Sequence, residues 1–585
     1  MANRLVPEAA LKRNLQGWMI FFIVISSVIG AGVFNNGGSA IKVAGPAGAL
    51  VALLVMCVIA ICVAECISEL VQLFPAPNAI VEYIRHLIDE DFGWAIGVAY
   101  WLTYSSIFAA QNMMAARLSE YWGEKEGQVW RPIIFYFVAP CSMLGINMFG
   151  VKLFGWIEAI GGILKITLVF FTTIVMFAMK IAMGSNNLQA GFQHEQNKPD
   201  ATVYTTNNLA AICYVIPIVA FGFIGIEAVA VTAFEAAPES LRRPSKFIAY
   251  FASILYLVCM LSQTFNVTWK HQDLPEIYSG IGEVNKRAED NTDPAPVTTI
   301  LAVIAVREWE KFPLAGFLNG AIIFSVLSAS NTALYIASRT LYGMAFRMDD
   351  RGLAKKLRHF SKIDRTTGVP LPALFASWIS FIWVPFLSLA KDGYVRYTIE
   401  IIQTASSVGC LIVWIALTFA YLRYWYWQRK FDDKLGRSAA YKKYQRTLDT
   451  YSPHTTLISL HPLPAIVGFV GCLVVFAFCS ATWWYTEATV EKVFIAYAAQ
   501  VIVVTIFLVL KAMRYFRTGT FKSQRIDRGS FAGYLERLND LQRHVKKSST
   551  NTSTPSDQSS THSTTTRDQA MGYELDENLV SNRRE

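Results

Sequence analysis

The sequence predicts an all-α polytopic membrane protein of twelve transmembrane helices, and three observations carry that reading. Of its 585 residues 53% are hydrophobic and only 16% charged, with a mean hydropathy of +0.34, far from the balance of a soluble domain. Apolar runs of the length that about 30 Å of hydrocarbon demands, roughly 20 residues, recur along the chain. Two of these runs are broken by glycine or proline at the same place in successive five-span units, the pattern of a five-plus-five inverted repeat.

In chain order the predicted spans are 17–43, 47–73, 94–116, 132–149, 152–183, 208–234, 246–266, 313–346, 371–389, 398–422, 463–483 and 489–512. The first is too long for a secretory signal and has no clear small-residue cleavage site, so it is read as mature structure. Arg4, Lys12 and Arg13 flank it, and Arg242, Arg243, Lys246, the run Arg347 to Arg365 and the run Arg423 to Arg446 fall in other connections on the same side. The positive-inside rule then puts both termini in the cytoplasm. The organisation expected is a cytoplasmic tail over 1–16 and a twelve-span domain over 17–512, with repeats 17–183 and 208–422 followed by two extra spans. A cytoplasmic tail over 513–585 carries the low-complexity tract "KKSSTNTSTPSDQSSTHSTTT", expected to be disordered, a solvated tail or a phosphorylated signal for trafficking machinery.

The net charge of +9 is accounted for by basic loops beside anionic lipid, without nucleic acid. All nine cysteines fall inside predicted spans with no CxxC, which argues against a disulfide framework or a zinc site, and no metal or cofactor is expected. The eight histidines lie outside or at the edges of spans, which argues against a histidine proton relay. No nucleophile and base cluster by motif and no Walker sequence occurs, so an enzyme is not expected. Asn266-Val267-Thr268 matches a glycosylation acceptor but hugs a membrane end.

The two breaks suggest a site. Backbone groups in hydrocarbon must be bonded internally, so a broken span is tolerated only beside protein or a water-filled cavity. Within "SSVIGAGVFNNGG" (26–38), unwinding at Gly30, Ala31 and Gly32 frees amides at the start of a half-helix, where the dipole suits a carboxylate. In "IPIVAFGFIGIEA", Pro217, Gly222 and Gly225 interrupt span 6, and freed carbonyls near Ala220 to Gly222 suit an ammonium. A site with both poles suits an amino acid. The alternative is that these glycines merely let helices pack closely.

Several stretches resemble one family, the amino acid-polyamine-organocation transporters, and within it the fungal-type amino-acid permeases. They are "SVLSASNTALYIASRTLYGMA" (325–345), "SELVQLFP" closing span 2, "GWAIGVAYWLTY" in span 3, Glu158 and Lys165 in span 5, "FGFIGIEAVAVTAFEA" in span 6 and "GVPLPAL" entering span 9. The resemblance covers roughly residues 15 to 425. It implies a leucine-transporter-type fold with broken helices 1 and 6, and a plasma-membrane permease that imports an amino acid or related amine, commonly with a proton, by rocking spans 1, 2, 6 and 7 against the rest. By position, Gly30, Ala31 and Gly32 would meet the substrate carboxylate, the Ala220 and Gly222 carbonyls its amine, and Phe221 would close over it. Lys165 would brace span 1 against span 8 in place of a sodium ion. Glu227 is a candidate proton carrier, Glu69 belongs to an inner gate, Asn331 faces the site and Arg339 pairs near the cytoplasmic end, while Glu65 matches no family position.

The departures are specific. Many relatives carry Thr at the positions of Val28 and Ala31, and Glu where span 3 has Gln111; the missing carboxylate removes an attraction for cations or a proton acceptor. "FNNGG" replaces a "GSG"-like run. A major-facilitator carrier fits poorly, because the charged run "RMDDRGLAKK" follows span 8 and the central loop is short. A nutrient receptor of the same fold and a permease for polyamines or other organic cations remain as alternative readings; measured flux separates receptor from carrier.

Overall fold

The computed structural model describes residues 5–6, 15–76, 78–123, 130–193, 207–236, 238–275, 298, 300–346, 348, 352–389, 398–437, 441–446, 451, 453–479, 490–521, 531, 533–539 and 541. The predicted disordered tract and the start of the N-terminal tail lie outside them. Within these residues the chain is helical but for one two-residue antiparallel ladder, β1 (Leu5–Val6) on β2 (Ile363–Asp364), and one bridge between Leu15 and Ala236. This short ladder, where the N-terminal tail pairs with the connection after span 8, leaves the all-α expectation standing.

The first predicted span is two helices. α1 (Gly17–Val28) is uninterrupted because no charged or helix-breaking side chain occurs in it; it stops at Ile29, and Gly30 (φ −140°, ψ −141°) caps the start of α2 (Ala31–Leu73). α2 runs on through the predicted second span, but with a kink at Gly45 (φ 71°) before Pro46, which lacks the amide a straight helix needs. The boundary predicted between spans 1 and 2 therefore falls on this kink.

A short amphipathic helix, α3 (Ala79–Leu87), precedes α4 (Glu90–Ser119), whose N-terminus Asp89 caps by accepting from the amides of Asp91 and Phe92. The fourth span starts as a wide turn over Ile133–Val138 and continues as α5 (Ala139–Met148); Pro140 removes an amide there, and Ala139 N reaches back five residues to the Ile134 carbonyl. α6 (Val151–Met183) ends on Gly184 in the left-handed conformation.

The sixth span is broken at Gly222 and Gly225, as the sequence predicts, but not at Pro217, which stays inside the helix. α7 (Asn208–Ala220) passes into a tight turn over Phe221–Phe223, and helix resumes as α8 (Ala228–Thr232). There follow α9 (Arg242–Thr264), α10 (Leu301–Glu308), α11 (Phe312–Ala345), α12 (Leu371–Phe381), α13 (Thr398–Lys430), α14 (Leu463–Phe478) and α15 (Val490–Thr518). α10 is fully buried from Leu301 to Val306 although it lies outside every predicted span. It wedges against α2 and α11, a short plug rather than a crossing.

Among the described residues seven helical stretches are long and apolar enough to cross a membrane: Asn36–Leu73, Val151–Met183, Asn208–Thr232, Arg242–Thr264, Phe312–Ala345, Ile401–Lys430 and Tyr497–Thr518. Gly17–Val28, Leu371–Leu387 and Leu463–Phe478 are shorter apolar helices. The protein is an all-helical multi-span membrane protein. α4 packs along α11 and α13, α2 along α7 and α9, and α1 along α6, around one continuous buried apolar core. Outward, large apolar side chains such as Phe137, Phe149, Ile174, Ile254, Phe317 and Ile379 are exposed, a surface that lipid and not water satisfies.

Asn266 is not presented as a glycosylation acceptor. Its amide donates to the carbonyls of Met176 (2.8 Å) and Ser262 (3.1 Å), its oxygen accepts from Ser185 Oγ (2.8 Å), and the residue is buried.

Candidate functional site

The end of α1 leaves carbonyls without intrahelical partners, and three separate helices supply donors to them. Lys165 Nζ of α6 donates to the Ser26 carbonyl at 2.7 Å and to Ser26 Oγ at 2.9 Å. Tyr256 of α9 donates its hydroxyl to the Val28 carbonyl at 2.7 Å, and Ser325 of α11 donates to the Ile29 carbonyl at 3.2 Å. The break is therefore held open by side chains rather than by chance.

Lys165 is fully buried, and its charge is balanced through Ser26, whose hydroxyl donates to Glu158 Oε2 at 2.5 Å. Glu158 also accepts from Ser328 (3.1 Å) and from the Asn331 amide (2.6 Å), while Asn331 Oδ1 accepts from Asn147 (2.8 Å). Asn331, expected to face the site, instead spans α5, α6 and α11 inside this network, because the carboxylate of Glu158 is the stronger acceptor available to its amide. Lys165 thus reaches α1 directly and α11 through Ser26 and Glu158.

The second break crosses the first. A Cβ placed on Gly32 would lie 2.4 Å from Gly222 Cα and 2.9 Å from Gly222 N, so the two backbones touch with no side chain between them. Gly225, at φ 116°, turns the chain beside Ser27, and Asn36 of α2 donates to the Ile218 carbonyl at 2.8 Å. Within the stretch Ala220 to Gly222 the Phe221 carbonyl is already used: the amide of Ile224 donates to it at 3.3 Å, closing the tight turn.

A pocket opens where these pieces meet. Ser27, Val28, Gly30 and Gly32 line it from the α1–α2 break, Tyr104, Ile107 and Gln111 from α4, Phe221 and Ile224 from span 6, and Ala329 and Ala333 from α11. Of the expected contacts Gly30, Gly32, Gln111 and Phe221 line it; Ala220 and Gly222 are buried in the adjoining backbone, and the side chain of Ala31 lies outside the described residues. Gln111 is 4% exposed and its Oε1 has no hydrogen-bond partner. A buried acceptor left open in a pocket is expensive unless something outside the protein meets it.

Glu227 stands directly behind Tyr104. It accepts from Tyr104 (2.5 Å) and Tyr100 (3.3 Å) on one oxygen and from Trp414 Nε1 (3.1 Å) and the Gly225 amide (3.2 Å) on the other. The carboxylate therefore fixes α4, α13 and the second break to one another.

The far end of the bundle, reached by α1 at Gly17, is tied by charges that the sequence foreshadows only in part. Glu69 accepts from Tyr421 (2.7 Å), Tyr451 (2.5 Å) and Arg446 (2.7 Å). One turn earlier Glu65 accepts from Tyr250 (2.9 Å) and from the amides of Thr456 and Leu457. Together they lash the connection between α13 and α14 to the end of α2. Glu235, which sequence reasoning quoted but did not single out, accepts from the Tyr335 hydroxyl and from Arg339 Nε (3.4 Å), and its carbonyl accepts from the Leu15 amide (3.0 Å). A buried acid one turn before a proline, facing an arginine of the span 8 motif, was the signal available.

Tyr256→Phe is the conservative probe of the capped break. It leaves the Val28 carbonyl buried without that donor, and a loss of about 1–3 kcal/mol is expected. A lowered unfolding midpoint in detergent, with expression unchanged, is the readout; an unshifted midpoint counts against the capping account.

Comparisons with known proteins place these features in context. A family model described as amino acid permease matches residues 19–522. A probable lysine/arginine permease of Candida albicans is 26% identical over 467 residues, covering 78% of this chain and 76% of the relative. An uncharacterised amino-acid permease of Schizosaccharomyces pombe is 27% identical over 465 residues, covering 79% and 76%. A general amino-acid permease of Candida albicans is 25% identical, covering 72% of this chain and 66% of its own length. Among solved structures, a manganese transporter of Eremococcus coleocola, in complex with an aromatic bis-isothiourea compound, aligns over 92% of this chain and 100% of its own at a TM-score of 0.50 and 12% identity, a likeness of fold alone.

Proposed function

This chain belongs to the amino acid permease family, a family of transporters and not of enzymes, and from that premise we propose that it imports an amino acid across the plasma membrane by proton-coupled alternating access. The observation that carries the reading is the meeting of two broken helices, Gly32 against Gly222, beside a pocket lined by Gln111, a buried side chain whose Oε1 has no hydrogen-bond partner. In this reading the amides at the start of α2 take the substrate carboxylate. Gln111 accepts from the ammonium, and Phe221 covers the ligand.

The proposed architecture is twelve spans with a five-plus-five inverted repeat of the leucine-transporter type, repeats 17–183 and 208–422, and both termini cytoplasmic. It is supported by the two breaks at matched places and by helix in every predicted segment. The end that holds Glu69 and Glu235 is then the inner gate, and the basic loops lie beside it. The proposed coupling ion is a proton, because the Lys165 ammonium already occupies the carbonyl-rich end of α1 that a bound metal cation would need. Glu227 is the second proposed proton-handling group, since it touches Tyr104 of the pocket.

The test is uptake of a panel of labelled amino acids and polyamines into transporter-deficient cells at acidic and neutral pH, with and without a protonophore. Acid-stimulated, protonophore-sensitive uptake of an amino acid is expected. Binding without flux points instead to a receptor, and uptake indifferent to the protonophore removes the proton.

A further inference from the structure

We propose that the pocket selects neutral zwitterionic amino acids and refuses lysine and arginine, which sets this chain apart from relatives named as lysine/arginine permeases. The inference rests on the amino-acid reading of the same pocket and narrows its substrate class. It starts from the walls. Beyond the backbone of the two breaks, the described side chains lining the pocket are those of Val28, Ile107, Ile224, Ala329, Ala333 and Phe221, which are apolar, and those of Ser27, Tyr104 and Gln111, which carry no charge at neutral pH.

A cationic side chain therefore finds no carboxylate among the described lining residues. Two buried carboxylates adjoin the region, and both are committed. Glu227 has each oxygen taken by two donors, with the Tyr104 hydroxyl standing between it and the pocket. Glu158 is taken by Ser26, Ser328 and Asn331 and balances Lys165. Bringing a guanidinium or a second ammonium here means burying it unpaired, with the Lys165 amine on the other side of Ser26, and that is strongly unfavourable.

The unpartnered acceptor of Gln111 suits one ammonium. Gln111 Oε1 is an acceptor without a partner, and Gln111 Nε2 lies within 3.1 Å of where a Cβ on Gly30 would stand, so the amide sits at the break itself. That position matches an α-ammonium whose carboxylate is held by the first amides of α2. The remaining walls then meet the substrate side chain, and being small or apolar they suit a neutral one. A neutral amide such as Gln111 satisfies the α-ammonium of a zwitterion but supplies no second anion for a cationic tail.

The experiment measures competition by unlabelled alanine, valine, leucine, serine, glutamine, lysine and arginine against whichever labelled amino acid the protein takes up, in cells that make the full-length chain. Neutral amino acids are expected to compete, and lysine and arginine to need at least about tenfold higher concentrations. The variant Gln111→Glu is expected to narrow that gap by gaining lysine or arginine uptake, because it places a carboxylate on the open acceptor. Lysine or arginine competing as well as the best neutral amino acid overturns this inference while leaving the permease reading in place. A surface-localised protein that moves no amino acid at all overturns both.

Discussion

Lys165→Ala is expected to reduce uptake by at least about 100-fold while the protein still inserts in the membrane. The side chain is fully buried and holds both the carbonyl and the hydroxyl of Ser26 at the open end of α1. Removing it leaves that carbonyl bare and Glu158 without the positive charge that balances it, and breaking a buried charge pair costs on the order of 3–5 kcal/mol. The effect should divide into two parts. The double variant Lys165→Met with Glu158→Gln removes the unpaired charge and should recover thermal stability, but it should not recover acid-stimulated uptake if the ammonium takes part in coupling. Surface biotinylation, the unfolding midpoint in detergent and uptake at two pH values report these separately. Full, pH-dependent uptake by the single variant would take Lys165 out of the mechanism.

The second large effect is at Gly32. A methyl group there meets Gly222 Cα at 2.4 Å and Gly222 N at 2.9 Å, and neither neighbour is the flexible end of a side chain that could turn aside. Gly32→Ala must therefore push the two breaks apart, at a cost beyond the roughly 1–3 kcal/mol of ordinary overpacking. Binding and uptake should both be lost, more completely still in Gly32→Val. Gly222→Ala is the control across the same contact: its Cβ points to Tyr256 Cε2 at 3.4 Å, ordinary contact, and activity should fall only modestly. Equal tolerance of alanine at both positions would sink the account of the crossing.

How much of this was legible beforehand follows from what each feature depends on. Apolar runs and the two glycine-containing breaks are local, and the structure has helix in every predicted apolar segment and an interruption at Gly30 and again after Ala220. What periodicity could not supply was the plug α10, because six apolar residues are too few for a span and nothing in them says which helices they wedge between. The kink at Gly45 falls on a predicted span boundary for a similar reason: a glycine and proline pair marks a change of direction without saying how sharply the chain turns. Partners are harder still. Lys165 was legible through the resemblance as a brace between spans 1 and 8, whereas its bond to the Ser26 carbonyl joins residues 139 apart. Asn331 shows the limit, since its motif marked it as important but only packing decides that its amide serves Glu158 instead of the pocket.

The three-way capping of α1 has a mechanical consequence. The tip of this half-helix is pinned at the pocket by side-chain donors from α6, α9 and α11, while its opposite end is held by the Leu15 amide on the Glu235 carbonyl, by the edge-on rings of Trp18 and Trp156 and by the buried apolar side chains of Leu15, Met19 and Ile20. Were the contacts at that opposite end released, the helix would move as a lever about its tip. With 12 residues the arm is about 18 Å long, so a tilt of about 25° sweeps the Gly17 end through roughly 7–8 Å while the pinned tip scarcely shifts. A passage wide enough for a small solute can thus be cleared at that end with the backbone around the pocket left almost where it was.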